Sequence, residues 1–297
     1  MSFKKWLDKN GQSLSGKTVV ITGATGGLGR NISRSVLYLG GSLVMVNRSQ
    51  ERSKALKDQL LAEFPQGKVS YYLCDLEDAR QVRSVCNALR QLPVDVLMLN
   101  AGTYAIPRAL SFGGWDNVFT TNFLSHYFMV KELMPLLEQR RAKVVATGSI
   151  SHRFNPSDPQ DMDFAHHEGA NDIYGNSKRY LMFSLTELLK DHPKVRFAIG
   201  HPGISFTGIT AHYPPNLLKI VKPSMLLIFM HPEKACRSMV KAIFEDVAYL
   251  HWLGPWAFDI WGNPVDKPLT ACPEQERQEI FHRAEEMYAQ LSDMTSL

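Results

Sequence analysis

The chain has 297 residues, of which 44% are hydrophobic, and its 33 basic and 29 acidic side chains leave a formal net charge of +4. A chain of this length can bury one substantial core, and a single α/β domain accounts for it. The charges are spread along the sequence without a basic block, so we expect no nucleic-acid partner.

The cysteines and the N-terminal residues bear on the cellular compartment. The cysteines have neither metal-ligand spacing nor a paired framework, which indicates reduced packing residues and no metal site. Residues 1–16 lack the apolar run of a signal peptide, and no run approaches the ~20 apolar residues of a membrane span. We therefore expect a cytoplasmic protein. The cysteines are Cys74, Cys86, Cys236 and Cys272.

The first motif is a glycine-rich stretch, Thr22-Gly23-Ala24-Thr25-Gly26-Gly27-Leu28-Gly29. The β-branched run Thr18-Val19-Val20-Ile21 before it predicts a buried strand. Ile32, Val36 and Leu39 after it have helical spacing. In this context glycines let backbone N–H groups approach a pyrophosphate at the helix N-terminus. The stretch therefore predicts a dinucleotide-binding turn.

Apolar strand-length runs then alternate with helix-length segments. This alternation predicts an α/β fold, with one Rossmann-type domain over 1–297 whose doubly wound parallel sheet has helices on both faces. Strands are predicted at 43–46, 69–73, 94–99, 143–147 and 195–199, and helices include 49–64 and 119–139. An apolar stripe of Ile280, Ala284, Met287 and Leu291 predicts a C-terminal packing helix at about 274–291.

Tyr174 and Lys178 are four residues apart on a predicted helix, so both side chains can reach the same small volume. A nearby ammonium favours the phenolate and so lowers a tyrosine pKa from about 10 toward neutrality. General acid–base chemistry on an alcohol or a carbonyl requires such a group.

Six motifs, in this order along the chain, resemble those of the short-chain dehydrogenase/reductase family. They are the glycine stretch, Asn100-Ala101-Gly102 after the fourth strand, Asn122, Ser149 after the fifth strand, the Tyr174/Lys178 pair, and the Pro202-Gly203 segment after the sixth strand. The resemblance covers roughly residues 15–270 and is greatest to the branch of retinol dehydrogenases and similar carbonyl reductases.

The resemblance implies a role for each of four catalytic residues. Tyr174 would exchange a proton with the substrate oxygen, and Ser149 would hydrogen-bond the same oxygen. Lys178 would hold the nicotinamide ribose and lower the Tyr174 pKa. Asn122 would hold a water that links Lys178 to solvent.

The resemblance also implies a nicotinamide cofactor. Where NAD-preferring members carry a carboxylate after the second strand, this chain has Asn47 and Arg48, which favours NADP(H) over NAD(H) because a guanidinium can bind a 2′-phosphate. Asp75 would contact the adenine, or cap a helix. The residues expected against the nucleotide are Gly23, Thr25, Gly26, Gly27, Leu28, Gly29, Asn47, Arg48, Asp75, Leu76, Asn100, Ala101, Gly102, Tyr174, Lys178, Pro202, Gly203, Ile204 and Thr207.

A substrate-covering segment is expected at about 204–232, where the apolar content is high. Such a lining suits a lipophilic carbonyl or alcohol substrate. Two other interpretations are a lid that rests on a membrane surface as a peripheral contact, and a lid that packs on its own domain or on a neighbouring subunit. By resemblance, the segment 119–139 would form the interface of a homodimer or homotetramer.

The expected function is an NADP(H)-dependent oxidoreductase. Three alternatives remain open at this point. The glycine spacing also fits the extended branch of the family, which contains sugar-nucleotide epimerases. The chain could instead be a catalytically silent nicotinamide-sensing protein of the same fold, or a structural subunit beside a catalytic partner. No residue selects the substrate or the direction of the reaction.

Overall fold

The computed structural model describes residues 3–154, 157–161, 164, 166, 169–204 and 230–296. They form an eight-stranded sheet in the order β3-β2-β1-β4-β5-β6-β7-β8. All neighbouring strands from β3 to β7 are parallel, and β8 is antiparallel to β7. The strands are β1 Thr18–Thr22, β2 Ser42–Asn47, β3 Val69–Leu73, β4 Val94–Leu99, β5 Lys143–Thr147, β6 Arg196–Gly200, β7 His251–Ala257 and β8 Trp261–Pro268.

Helices connect the strands. They are α1 Phe3–Asn10, α2 Gly27–Tyr38, α3 Gln50–Glu63, α4 Ala79–Leu89, α5 Asn117–Phe119, α6 Ser125–Arg140, α7 Ala170–Lys190, α8 Pro232–Ala235, α9 Arg237–Phe244 and α10 Glu274–Thr295. A π-helical turn at Thr120–Leu124 joins α5 to α6, and a 3-10 turn at Ile150–Arg153 follows β5.

The central strands β1, β4 and β5 are buried along their whole length. Successive side chains of a strand point to opposite faces of the sheet and so enter two different cores. On β1, Val20 packs into a core that includes residues of α4, α6, α7 and α10. Val19 and Ile21 pack into a second core, with residues of α1, α2, α3 and α9. The predicted α/β fold with helices on both faces is therefore confirmed, and the antiparallel hairpin β7–β8 is an addition at its edge.

Two helices differ from the sequence prediction. Residues 3–10 are helical, and Trp6 and Leu7 of this helix are buried in the second core although the segment is polar on average. The predicted helix over 119–139 is interrupted at its start, because the Ser125 N–H bonds to the Thr120 carbonyl, a π-helical spacing of five residues.

The C-terminal helix α10 lies against α4, α6 and α7. Glu285 of α10 accepts hydrogen bonds from Tyr127 and Lys131 of α6. Glu132 of α6 likewise bonds to Tyr288 of α10. This part of α6, which the resemblance assigned to a subunit interface, is thus covered by a helix of the same chain.

The expected substrate-covering segment at about 204–232 is described only at its ends. The Met230 N–H donates to the Ile204 carbonyl at 2.7 Å, so the two described ends of the segment lie side by side. Residues 205–229, including Thr207, lie outside the described residues. In the part of the chain that the structure describes, no helix is both long and apolar enough to cross a bilayer.

Three fully or nearly fully buried histidines predict acid-sensitive stability. Burial lowers the pKa of His126 to about 3 and the pKa values of His152 and His201 to about 4. Because free imidazoles titrate near pH 6.5, the unfolded chain binds more protons than the folded chain between about pH 6.5 and pH 4. The free energy of unfolding should therefore fall as the pH is lowered, by up to about 1.4 kcal/mol per pH unit for each histidine.

Urea unfolding at pH 7.5, 6.5 and 5.5 measures this slope. His201→Gln should make the slope shallower, because it removes one of the three buried imidazoles. An unfolding free energy that stays constant from pH 7.5 to 5.5 would contradict the assignment.

Candidate active site

The candidate site lies at the carboxyl edge of the sheet, where parallel strands end side by side. In the register, Leu99 at the end of β4 is opposite Ala146 of β5, and Thr147 of β5 is opposite Gly200 of β6. The glycine turn follows β1, Asn100-Ala101-Gly102 follows β4, Ser149 follows β5 and Pro202 follows β6. Four of the six sequence motifs are therefore positioned by the ends of parallel strands.

Two glycines of the glycine turn are required by the packing of the chain. Gly23 has a φ of +67°, and a Cβ at this residue would lie 2.7 Å from the Ala101 Cα. A Cβ on Gly29 would lie 2.3 Å from the Gly23 carbonyl oxygen. Gly26 differs, because a Cβ there would meet only the Gly23 oxygen at 3.4 Å. Its missing side chain therefore leaves space toward solvent, where a ligand can approach the backbone.

The N-terminus of α2 suits a phosphate group. The helix begins after Gly26, and among the described residues no side chain caps it and no acidic residue lies in its first turn. The positive end of the helix and the N–H groups of Gly27, Leu28 and Gly29 are thus available to an anion. Arg30 folds back over the turn, its Nε donating to the Thr25 carbonyl at 3.1 Å.

Thr22, the last residue of β1, joins the glycine turn to the end of β4. Its Oγ1 accepts hydrogen bonds from the N–H groups of Asn100 at 2.9 Å and Ala101 at 3.0 Å. In return, the Asn100 amide donates to the carbonyl oxygens of Thr22 and Gly23. These bonds hold the two predicted nucleotide-binding turns in a fixed relation.

Asn122 is fully buried in the π-helical turn, and its side chain connects this turn to the loop at Thr103 and to Ser177 of α7. Its Oδ1 accepts from the Thr103 N–H at 2.7 Å, and its Nδ2 donates to the Thr103 carbonyl at 2.9 Å and to the Ser177 Oγ at 3.0 Å. Ser177 in turn donates to the Tyr174 carbonyl at 2.7 Å. Both amide hydrogens are therefore used within the protein, and the expectation that Asn122 holds a water linking Lys178 to solvent stays a prediction.

Lys178 and Tyr174 lie one turn apart on α7, as the sequence predicts. The Lys178 ammonium is buried and donates to the Thr147 carbonyl at 3.2 Å. It faces the Gly102 Cα, since a Cβ on Gly102 would lie 3.4 Å from the ammonium and 3.3 Å from the Asn122 Oδ1. Lys178, Asn122 and Gly102 are thus brought together at the end of β4.

The pKa values of the pair differ from the sequence expectation. Desolvation by burial lowers the pKa of Lys178 to about 8. The pKa of Tyr174 is raised rather than lowered, chiefly by burial, although a hydrogen bond with the Ser149 side chain opposes the shift. Burial shifts the pKa of Tyr174 more than its neighbours do, and the i, i+4 spacing contains no information on burial. At neutral pH the pair is therefore an ammonium and a protonated phenol.

The Ser149 side chain caps the 3-10 turn after β5 and also lies near Tyr174. Its Oγ accepts from the Ser151 N–H at 3.2 Å and so caps the 3-10 turn. Its hydroxyl donates to the Ser151 Oγ at 3.1 Å, and the Ser149 side chain is close enough to Tyr174 to oppose the rise of the Tyr174 pKa. The ring of Tyr104 packs edge-on against the Tyr174 ring with centroids 5.3 Å apart. Tyr104 thus covers one side of the Tyr174 ring, near the hydroxyl groups of Tyr174 and Ser149.

The end of β2 carries the groups expected at the nucleotide ribose. Arg48 is 71% exposed, and its guanidinium lies 3.5 Å from Glu77 and 4.0 Å from Asp75. Asn47 is buried and donates to the Ser53 Oγ at 3.1 Å, while its Oδ1 has no partner among the described residues.

Asp75 does not cap a helix, which corrects one of the two sequence interpretations. Its carboxylate accepts from the Glu77 N–H at 3.0 Å, whereas Asp78 is the N-cap of α4 and accepts from the Arg80 N–H. Leu76 between them is buried, and its carbonyl accepts a hydrogen bond from Ser125.

The segment after β6 lies beside the β7–β8 hairpin. Gly203 has a φ of +75°, and a Cβ at this residue would lie 2.5 Å from the Ile260 carbonyl oxygen. The hairpin turn exposes Trp256 and Phe258, the latter by 81%. Trp252, by contrast, is buried and stacks on His201 at 4.7 Å. Gly203 therefore packs against the hairpin, next to Ile260 and Pro255.

Sequence reasoning did not identify several residues of this arrangement. Thr22 and Ser177 stand inside recognised motifs, but their hydroxyl bonds depend on the three-dimensional contacts. His126 follows Asn122 by one helical turn, a spacing that could have indicated it. Tyr104 gives no sequence signal, because its contact with Tyr174 joins a loop to a distant helix.

Comparisons with known proteins find oxidoreductases among the relatives of this chain. The family model described as short chain dehydrogenase matches residues 17–157. Retinol dehydrogenase 14 of Mus musculus is 29% identical over 220 residues, which are 69% of this chain and 66% of that protein. The WW domain-containing oxidoreductase of Homo sapiens is 32% identical over 147 residues, so the match spans 48% of this chain but only 36% of that relative's length.

Solved structures share the fold. An uncharacterized protein from Mycobacterium Paratuberculosis aligns with a TM-score of 0.74 at 23% identity, over 94% of this chain and 95% of that one. Other structures that align with this chain were solved with NADP or NADPH bound. With its parallel sheet and its motifs in place, the chain is similar to the short-chain dehydrogenase/reductase family over residues 17–157, and it has retinol dehydrogenases among its relatives.

Proposed function

We propose that the protein is an NADP(H)-dependent oxidoreductase that transfers a hydride between the nicotinamide and a carbonyl or alcohol group. The observation that carries the proposal is the position of Ser149, Tyr174 and Lys178 on the carboxyl edge of the sheet that also holds the glycine turn. The open backbone at Gly26 and the uncapped start of α2 fit a pyrophosphate.

The side chains divide the chemistry among them. The nicotinamide, when bound, supplies or accepts the hydride. Tyr174 donates a proton to the oxygen of a carbonyl substrate as negative charge develops there, or takes it from an alcohol in the reverse direction. Ser149 donates a hydrogen bond to the same oxygen. Lys178, one helical turn from Tyr174, supplies positive charge to the site and holds the nicotinamide ribose. Asn122 fixes the loop around Thr103 against α7.

The protonation states favour carbonyl reduction at neutral pH. Burial raises the pKa of Tyr174, so the phenol keeps the proton that reduction consumes. Oxidation of an alcohol would instead require the phenolate. The preference for NADP(H) is proposed from the absence of a carboxylate at Asn47 and from the exposed guanidinium of Arg48.

A lipophilic substrate is proposed from the aromatic groups around the site. Tyr104 packs on Tyr174, and the exposed Trp256 and Phe258 stand on the hairpin beside Gly203. Such surfaces suit apolar ligands. Self-association, a peripheral membrane contact and a cytoplasmic location stay predictions from the sequence.

Tyr174→Phe should abolish carbonyl reduction while leaving nucleotide binding nearly unchanged, because it removes only the proton donor. The measurement is NADPH consumption with a panel of aliphatic, aromatic and steroid-like aldehydes and ketones. Tyr180→Phe is the matched control, since it makes the same change on the same helix within a cluster of aromatic rings.

Wild-type and Tyr180→Phe proteins should be active and Tyr174→Phe inactive, with dissociation constants for NADPH within about threefold of one another. Full activity of Tyr174→Phe would refute the assigned role. Tight NADPH binding by the wild type without turnover of any carbonyl would favour the nicotinamide-sensing alternative.

Arg48→Gln should weaken NADPH binding about tenfold or more, because a charge-assisted hydrogen bond contributes ~1.5–3 kcal/mol. NADH binding should change little. Glu77→Gln should tighten NADPH binding, since Glu77 competes with a phosphate for the guanidinium.

Fluorescence titration with both nucleotides measures these affinities. Arg196→Gln is the control for loss of one positive charge. Arg196 is the first residue of β6 and so lies at the amino ends of the strands, away from the candidate site at their carboxyl ends. Equal losses of NADPH and NADH affinity in Arg48→Gln would contradict a phosphate contact.

Carbonyl reduction should slow as the pH rises through about 8, where the buried Lys178 loses its charge. A single titrating group predicts a fall in kcat/KM of about tenfold per pH unit above that point. Lys178→Arg cannot lose its charge in this range, so its residual activity should lack the step. A wild-type profile that is flat to pH 10 would contradict the role of the ammonium.

A further inference from the structure

His126, which no step of the proposed chemistry uses, lies between the nucleotide-binding and catalytic parts of the site. It is the second residue of α6 and is fully buried. Its Nε2 lies 3.0 Å from the Thr22 Oγ1, and its Nδ1 lies 3.2 Å from the Asn122 carbonyl oxygen. One imidazole thus spans the gap between the end of β1 and the π-helical turn.

The two contacts fix the tautomer of the ring. A carbonyl oxygen can only accept, so the hydrogen of a neutral imidazole must be on Nδ1, which donates to Asn122. The Thr22 hydroxyl already accepts from the N–H groups of Asn100 and Ala101, so its own hydrogen is left to donate. Nε2 at 3.0 Å is the nearer acceptor, since the Met98 carbonyl oxygen lies 3.5 Å away.

A positively charged imidazole would not fit these contacts. It would carry a second hydrogen on Nε2, directed at a hydroxyl oxygen whose two lone pairs are in use. Burial and the nearby charge of Lys178 both lower the His126 pKa, to about 3. The ring is therefore neutral under ordinary conditions, with one donor and one acceptor.

The hydrogen bonds continue on both sides of His126. On one side, Thr22 binds the turn that begins at Asn100. On the other, the Asn122 side chain binds Thr103 and Ser177, and Ser177 binds the Tyr174 carbonyl. An unbroken series of bonds thus runs from the nucleotide-binding turn to the helix that carries Tyr174 and Lys178.

We propose that His126 is a positioning residue, which through its neutral Nδ1–H tautomer fixes the Asn122 carbonyl and so aligns the catalytic helix with the nucleotide-binding turns. This inference rests on the proposed function, because alignment matters only if a hydride and a proton move between these parts. Misplacement of reacting groups by ~1 Å can reduce a rate about 100-fold, so a distant support of this kind can be visible in kcat.

Two substitutions separate positioning from simple packing. His126→Asn places an amide near the former Nδ1, where it can still donate to the Asn122 carbonyl. His126→Phe fills the same space better but cannot donate. The proposal predicts a fall in kcat of about 10–100-fold for the Phe variant and a clearly smaller fall for the Asn variant, with NADPH affinity within about threefold of wild type in both.

A packing role predicts the opposite order, because Phe matches the ring and Asn leaves a cavity. Thermal unfolding of both variants shows whether they are folded. If Phe is as active as Asn or more so, the proposal is overturned.

A second readout does not depend on turnover and so distinguishes failure of this inference from failure of the proposed function. The ¹⁵N chemical shifts of the His126 ring in the full chain report its tautomer, with His126→Asn identifying the signal. The Nδ1–H form at pH 7 supports the positioning role, and the Nε2–H form or an imidazolium overturns it. Absence of NADPH-dependent turnover in the wild type would refute the proposed function while this measurement still tests the hydrogen bonds.

Discussion

The candidate site depends on the parallel alignment of β1, β4, β5 and β6. Parallel strands end at the same edge of a sheet, so residues far apart in sequence meet there without any special contact between them. Thr22, Asn100, Ser149 and Pro202 come together in this way. Both faces of the sheet are buried under helices, and the register is therefore fixed by two hydrophobic cores rather than by the site itself.

Polar side chains then set the distances within this edge. Thr22 joins two nucleotide-binding turns, and Asn122 joins a loop, a π-helical turn and the helix of Tyr174. Each of these buried groups would be costly without its partners, so the network is either complete or strongly destabilising. The π-helical turn belongs to the same arrangement, since it shifts the backbone where Asn122 meets Thr103 and His126.

The sequence predicted the parts of the structure that depend on local pattern. The strands at 69–73, 94–99 and 143–147 are found with the predicted bounds, because short runs rich in β-branched or aromatic residues and bounded by turns favour strands. Properties that depend on burial were missed. The pKa of Tyr174 is raised because desolvation exceeds the effect of its neighbours, and no spacing rule contains that quantity. The π-helical turn and the contact of Tyr104 with Tyr174 likewise arise from tertiary packing.

The central claim is that this edge moves a hydride between a nicotinamide and a carbonyl carbon. Transfer of deuterium from NADPH labelled at C4 tests it most directly, with the product alcohol analysed by mass spectrometry. The account predicts deuterium on the carbinol carbon with the wild-type chain, from one face of the nicotinamide only, and none with Tyr174→Phe. Saturating NADPH binding without deuterium in any product of a broad carbonyl panel would contradict it.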